Sequence, residues 1–294
     1  MLHHLRLGDL SAAVTSVGAE LRSLRRGDDE YLWQGSGADC GTEPQGLGSA
    51  ALQFPHVGRL REDGFAHAGR FYALPPHGIA GSSQFRLIER AAHSLTLTLR
   101  ADSHTRECYP FDFELRVTFT LRSDGLVVDY RVRNRGLERM AFSLGSQASL
   151  ALPLRPGEGL ADWMVGFDCA EAPEVYRLDG RLLGSLPQPF EFKPRQSVQL
   201  GSQQFVAGGL VFKNINSRRL DLLHRRHGRR LALHTGAAPH LCLWSRPGAE
   251  FVTIAPWYGV DDDAQTPLEL LAKPAAILLP AGRAFVAGYR IELG

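Results

Sequence analysis

The 294-residue chain is 44 % hydrophobic and 22 % charged, enough apolar material for a real core and too much for a disordered chain. Its formal net charge of +2 supplies no global field of the kind that selects nucleic acid or an acidic membrane surface. No apolar run reaches the roughly eighteen residues a membrane helix needs, and residues 1–10 carry charges and histidines where a secretory signal would be apolar.

In chain order the strand signals dominate. Ser94–Arg100 reads S-L-T-L-T-L-R, a strict alternation, and Phe113–Arg122 repeats it as F-E-L-R-V-T-F-T-L-R. Residues 126–134 follow across the short turn Ser123-Asp124-Gly125, giving a meander with one apolar face and one face of arginines. Further on, 218–223 and 229–234 flank a turn at 224–228, and His240–Trp244 and 251–254 flank a turn at 245–248. Residues 276–279 and 285–293 close the chain around Pro280-Ala281-Gly282, with helical periodicity confined to a turn or so near 267–271. The 31 glycines and 17 prolines are spread as many tight turns require. With no linker and no repeat, the expectation is an all-β, large antiparallel β-sandwich in a single domain spanning 1–294. The four cysteines, Cys40, Cys108, Cys169 and Cys242, form no C-x-x-C pair, so they are expected as buried, reduced thiols of a cytoplasmic protein.

Three segments are not simple strands: Phe54-Pro55-His56-Val57-Gly58-Arg59-Leu60, Leu74-Pro75-Pro76-His77-Gly78-Ile79-Ala80, and Ile254-Ala255-Pro256-Trp257-Tyr258-Gly259. Proline and glycine set the backbone beside an arginine, a histidine and paired aromatics, as in loops that carry binding groups on a rigid sheet. Together with Gly18-Ala19-Glu20-Leu21, Tyr31-Leu32-Trp33-Gln34-Gly35 and Phe142-Ser143-Leu144-Gly145, these segments resemble the aldose 1-epimerase, or galactose mutarotase-like, family over nearly the whole chain.

That resemblance implies a β-sandwich of the mutarotase type with a sugar cleft on the concave face of a central sheet, and no cofactor or metal. The family interconverts α and β anomers of a free aldose. A glutamate base takes the proton from O1, a histidine acid protonates the ring oxygen, and an arginine, a second histidine and an aspartate hold the sugar. Carried over residue by residue, the arginine matches Arg59 and the second histidine His77. The glutamate position is Ala255, the acid-histidine position is Gln147, and the aspartate position falls in Ala207-Gly208-Gly209. Gly81 and Ser82-Ser83-Gln84 replace the family's arginine and acidic residues after the histidine motif. Alanine accepts no proton and an amide has no useful pKa near neutrality.

The implied function is therefore a carbohydrate-binding member with weak or no epimerase activity, taking a hexose or hexose phosphate as monomer or homodimer. Arg59, His77, Gln147 and Trp257 are the expected substrate-binding residues, and no catalytic residue of the family is retained. Two alternatives stand beside it: an active epimerase with non-standard acid and base, and a non-catalytic interaction protein. His56 and His240 are the first candidates for a stand-in base. The competing structural readings are an Arg59 surface ion pair, a His77 satisfied by its own loop, and Trp257 and Tyr258 as core aromatics. His224 and His227 read as a solvated hairpin tip with no third ligand nearby. Asp261-Asp262-Asp263 resembles a cation site only by charge count and reads as a charged turn, in a loop where the resemblance implies an aspartate, and any stand-in base would come from such neighbours.

Overall fold

The computed structural model describes residues 1–35, 51–152, 157–179, 181–193, 196–206, 208–245 and 249–294. Two antiparallel sheets carry the architecture. The larger has nine strands in the order Ser197–Gln199, Trp163–Phe167, Arg219–His224, Gly228–His234, Ala284–Leu293, Gly125–Asn134, Phe113–Arg122, Ser94–Arg100 and Arg86–Arg90. The second runs Leu210–Lys213, His240–Trp244, Phe251–Tyr258, Leu144–Ser146 and Leu52–Gln53, with Ala148–Ala151 also paired to Phe251–Tyr258. A four-stranded sheet, Leu2–Leu7 through Asp29–Glu30, lies at the start of the chain.

The strand alternation sorts side chains between two apolar clusters. On the second sheet Leu210, Phe212, Leu241, Leu243, Val252 and Ile254 join one continuous core with Leu220, Leu222, Leu231 and Leu233 of the nine-stranded sheet. Their strand neighbours Val211, Cys242, Ala255 and Trp257 point the other way and form a separate cluster with Val57 and Leu183. Period two thus does two tasks at once: one face seals the sandwich, and the other makes a floor.

The expected meander is present, with Phe113–Arg122 pairing both Gly125–Asn134 and Ser94–Arg100. Two closing strands do not pair with each other: Ile277–Leu279 joins Met140–Phe142, while Ala284–Leu293 bridges Gly125–Asn134 and Gly228–His234. One short helix escaped the periodicity reading. Ser103–Cys108 is too brief for a hydrophobic stripe and is set by a local capping box between Asp102 and Thr105. The 267–271 signal is a single 3-10 turn at Leu270–Ala272.

The cysteines need correcting. Cys242 is buried, Cys108 is half-buried, and Cys169 is exposed in the loop after Trp163–Phe167; all three are free thiols. Small apolar size did not place Cys169 in the core because its loop is outside both clusters. Cys40 and residues 246–248 of the expected 245–248 turn lie outside the described residues. Among the described residues no helix is long and apolar enough to cross a membrane.

Candidate functional site

Two of the three irregular segments lock onto each other. The Phe54 N–H donates to the His77 carbonyl at 3.1 Å, the His77 N–H to the Gly58 carbonyl at 2.8 Å, and the Ile79 N–H back to Phe54 at 2.9 Å. Gly78 has φ +76, and a Cβ there would lie 2.3 Å from the Phe54 carbonyl oxygen, so only glycine permits this approach. His77 itself is held at φ 64, an uncommon conformation for a side-chain-bearing residue. Its Nδ1 accepts the Gly58 N–H at 3.1 Å, which leaves Nε2 to carry the proton. Burial, with the charge of Arg59 adding to it, pushes the imidazole down to about 4, so the ring is neutral at physiological pH.

Arg59, His77, Gln147 and Trp257 all line one cavity of about 600 Å³. Its floor is the outward face of the second sheet. Registered pairs place Gly145 beside Trp257 and Ala148 beside Ile254, so Gln147 falls opposite Ala255, whose other neighbour is Cys242, followed by Val211. Ala255 is fully buried in this row, and the row is apolar except for the Gln147 amide and a thiol. Burial first, and the charge of Asp261 second, raise the Cys242 pKa, so the thiol stays protonated. Trp257 is 3 % exposed, and its indole N–H has no hydrogen-bond partner among the described residues. Tyr258 turns to the opposite side and packs edge-on against Phe285. Gly208 and Gly209, where the sugar-holding aspartate was expected, line the cavity without a side chain; Ala207 lies outside the described residues.

The reading of Asp261-Asp262-Asp263 as a charged turn is overturned. Asp261 lines the cavity with Arg59 and His77, and its Oδ1 accepts the Arg59 N–H at 2.9 Å. Gly58, at φ +72, is the residue that makes room: a Cβ there would lie 2.1 Å from the Asp261 carboxyl carbon. Burial pushes the Asp261 carboxyl up to about 6; the N–H groups of Arg59 and of Asp261 itself return only part of the shift. Asp262 is buried in an ion pair, its Oδ2 2.5 Å from Lys273 Nζ, and also accepts the Arg61 N–H. Asp263 alone behaves as a turn residue, accepting from Gln265 N–H and the Thr266 hydroxyl. Three consecutive aspartates look solvated in sequence, whereas here each faces a different environment.

His56 and His240 are also placed differently from expectation. Neither lines the main cavity; both line a second one of about 370 Å³ that shares Asp261 with the first. Burial first, then Lys273, pushes His56 down to about 3. Burial, then Lys213, pushes His240 down to about 4. Rings so weakly basic and so placed are poor proton acceptors for a ligand of the main cavity.

At the Arg219–His224 to Gly228–His234 hairpin the third group missed in sequence is Glu158, whose Oε1 lies 3.0 Å from His227 Nε2 and 3.5 Å from His224 Nε2. The tip itself, residues 225–229, is exposed, but His224 at its base is 2 % exposed and stacks on His227 at 4.5 Å. The three groups present ligand atoms within 4.8 Å of one another. Yet His224 Nδ1 accepts the N–H groups of Arg226 and His227, so the neutral ring keeps its proton on Nε2, toward Glu158. A metal at Nε2 would force that proton onto Nδ1, against two N–H donors. The trio therefore fits a carboxylate-closed histidine stack.

A cleft on the outward face of one sheet of an antiparallel β-sandwich, reached by the two interlocked loops, defines the galactose mutarotase-like class of fold. The aldose 1-epimerase family model matches residues 1–244, and the chain belongs to that family. Ala255, Trp257 and Asp261 lie beyond the matched segment. The chain is 26 % identical over 277 residues to protein LacX of Lactococcus lactis subsp. lactis, covering 90 % of each. A galactose mutarotase related enzyme from Lactobacillus acidophilus superposes with a TM-score of 0.91 at 25 % identity, covering 100 % of this chain and 97 % of that one. A galactose mutarotase-like protein from Lactobacillus casei ATCC 334 gives 0.90 at 22 % identity with full coverage of both.

Proposed function

We propose that the chain is a carbohydrate-binding member of its family whose cleft takes a hexose or hexose phosphate, with epimerase activity that is weak or absent. The observation that carries this reading is the convergence of Arg59, His77, Gln147 and Trp257 on one cavity of about 600 Å³, a size within the roughly 300–1,000 Å³ range of small-molecule sites. Each group suits a sugar. The guanidinium and the His77 Nε2–H donate to hydroxyls, the Gln147 amide donates and accepts, and the Trp257 indole offers an apolar face with an N–H unpartnered among the described residues. The family's acid and base positions hold Gln147 and Ala255, which cannot move a proton at neutral pH. We read the chain as one domain and a cytoplasmic monomer or homodimer, acting on a small molecule without nucleic acid, membrane, metal or cofactor.

A second reading, turnover by non-standard groups, is favoured by one specific observation, the Asp261 carboxyl in the same cavity. Titration of the purified protein with D-galactose, D-glucose and glucose 6-phosphate, followed by tryptophan fluorescence, tests the binding claim, because Trp244 and Trp257 both line the cavity. Saturable quenching that Arg59→Ala weakens at least about 10-fold, the loss of one charge-assisted contact, is the expected result. A cleft that binds none of the three sugars refutes the reading.

A further inference from the structure

We propose that Asp261 is the proton acceptor of the cleft, a carboxylate supplied by the loop after the Phe251–Tyr258 strand in place of the glutamate absent from position 255. The inference rests on the reading of the cleft as an aldose site.

The geometry makes the substitution specific. Ala255 is the buried midpoint of the row Gln147–Ala255–Cys242, and nothing from its own side chain reaches the cavity. Asp261 does line it, together with Arg59, His77, Gln147 and Trp257, and its charge acts on Cys242, the register partner of Ala255. The carboxylate is held in place. The Arg59 N–H fixes Oδ1 at 2.9 Å, and Gly58 leaves the space that any side chain would take from it. The binding arginine and the acceptor are thus set by one backbone segment, so a sugar oriented by Arg59 is oriented relative to Asp261 as well.

The charged and titratable groups around Asp261 come from every neighbouring element. They are Arg59 and His77 on the interlocked loops, Asp63 and Arg181 elsewhere on the main cavity, Cys242 on the sheet, Asp262 next in sequence, and Lys213, His56, His240, Asp263 and Lys273 around the second cavity. None that lines the main cavity is an acid suited to protonating a ring oxygen at neutral pH, and the ammonium groups of Lys213 and Lys273 line only the second cavity. His77, His56 and His240 are all depressed and neutral there, Cys242 is raised, and the Gln147 amide does not titrate. The chemistry is therefore one-sided. Asp261 takes the proton from O1 as the C1–O5 bond breaks and C1=O1 forms; the electron pair goes to O5, which takes a proton from water. After rotation about C1–C2, O5 attacks the other face of C1, Asp261 returns its proton to O1, and the hydroxide recovers the proton of O5. Nothing is consumed. One positioned base without its partner acid gives slow turnover, consistent with weak activity.

The test separates binding from turnover in the same protein. Anomer exchange of α-galactose, α-glucose and glucose 6-phosphate is followed by polarimetry and NMR, with the spontaneous rate subtracted at each pH, beside fluorescence binding of the same sugars. Asp261→Asn keeps the size of the side chain and an oxygen for the Arg59 N–H. It is expected to bind sugar within a few-fold of the parent and to lose the acceleration about 10²-fold or to background. The parent rate should rise through pH 6 and stay flat to pH 9, with no descending limb, because no group in the cleft acts as the acid. If sugar binds but the parent shows no acceleration, or Asp261→Asn keeps all of it, the proposal for Asp261 is overturned while the binding site stands. If none of the sugars binds, both fall together.

Discussion

Replacing Asp261 by asparagine is expected to make the protein more stable at pH 8 and to change it little near pH 4. Burial pushes the carboxyl from its ordinary 3.8 up to about 6. Folding therefore disfavours the ionised form by about two pH units, or about 3 kcal/mol at roughly 1.4 kcal/mol per unit. The folded state holds this proton more tightly than the unfolded chain between about pH 4 and 6. Stability consequently falls as the pH rises through that window, and the full cost is present above it. About 2 kcal/mol of the fall accrues between pH 4.5 and 8, and solvent reaching the carboxylate from the cleft makes that an upper figure. Asparagine preserves an acceptor for the Arg59 N–H, bound at 2.9 Å in the parent, and carries no charge to desolvate. Urea unfolding of both proteins at pH 4.5 and 8 should show the variant's advantage growing by about 2 kcal/mol at the higher pH, and thermal melts at pH 8 should show a rise in Tm of about 5 °C. A difference between the two proteins that is the same at both pH values refutes the reasoning, since it would mean that the carboxyl titrates normally in the fold.

Gly58→Ala places a Cβ in left-handed backbone, 2.1 Å from the Asp261 carboxyl carbon; a loss of about 1–3 kcal/mol in urea unfolding is expected, together with loss of the pH-dependent difference just described. Lys273→Met strips the ammonium from a buried carboxylate 2.5 Å away and should cost about 3–5 kcal/mol at pH 7. The loss should shrink in acid, because burial raises the Asp262 pKa and protonation removes the stranded charge. The double change Ala255→Glu with Gln147→His should raise epimerase activity, by polarimetry, more than the product of the two single effects, because an acid and a base on facing positions work as a unit; a merely multiplicative gain would count against that pairing.

Much of the cleft was legible in sequence because its residues sit in segments where proline and glycine dictate the backbone. Arg59 and His77 are carried by loops whose hydrogen bonds are mutual, and Trp257 is fixed by alternation along a strand. Asp261 stood out in sequence only as part of a charged run among the neighbours of the site, and its burial was not legible, for the complementary reason. Its environment comes from Gly58, some two hundred positions away in sequence, and a run of aspartates reads as solvent-facing until that contact is known. The signal that was available was the glycine itself, standing next to the arginine and free of any strand. His56 and His240 line the second cavity and not the one that Arg59 lines, because proximity in sequence to a motif does not set direction. Glu158 was missed because its segment carries no periodicity to link it to the hairpin it closes.

The position of the Ala284–Leu293 strand bears on how the protein is made. It lies between Gly125–Asn134 and Gly228–His234, so the nine-stranded sheet is two separate pieces until that strand arrives. A ribosome delivers residues 284–293 after every other strand of the sheet, and during that interval the nascent chain presents two open edges, each a template for pairing with another chain. Such late, long-range closure is slow. The emerging protein therefore depends on whatever shields those edges, and a message cut short before residue 284 would yield a product primed to aggregate.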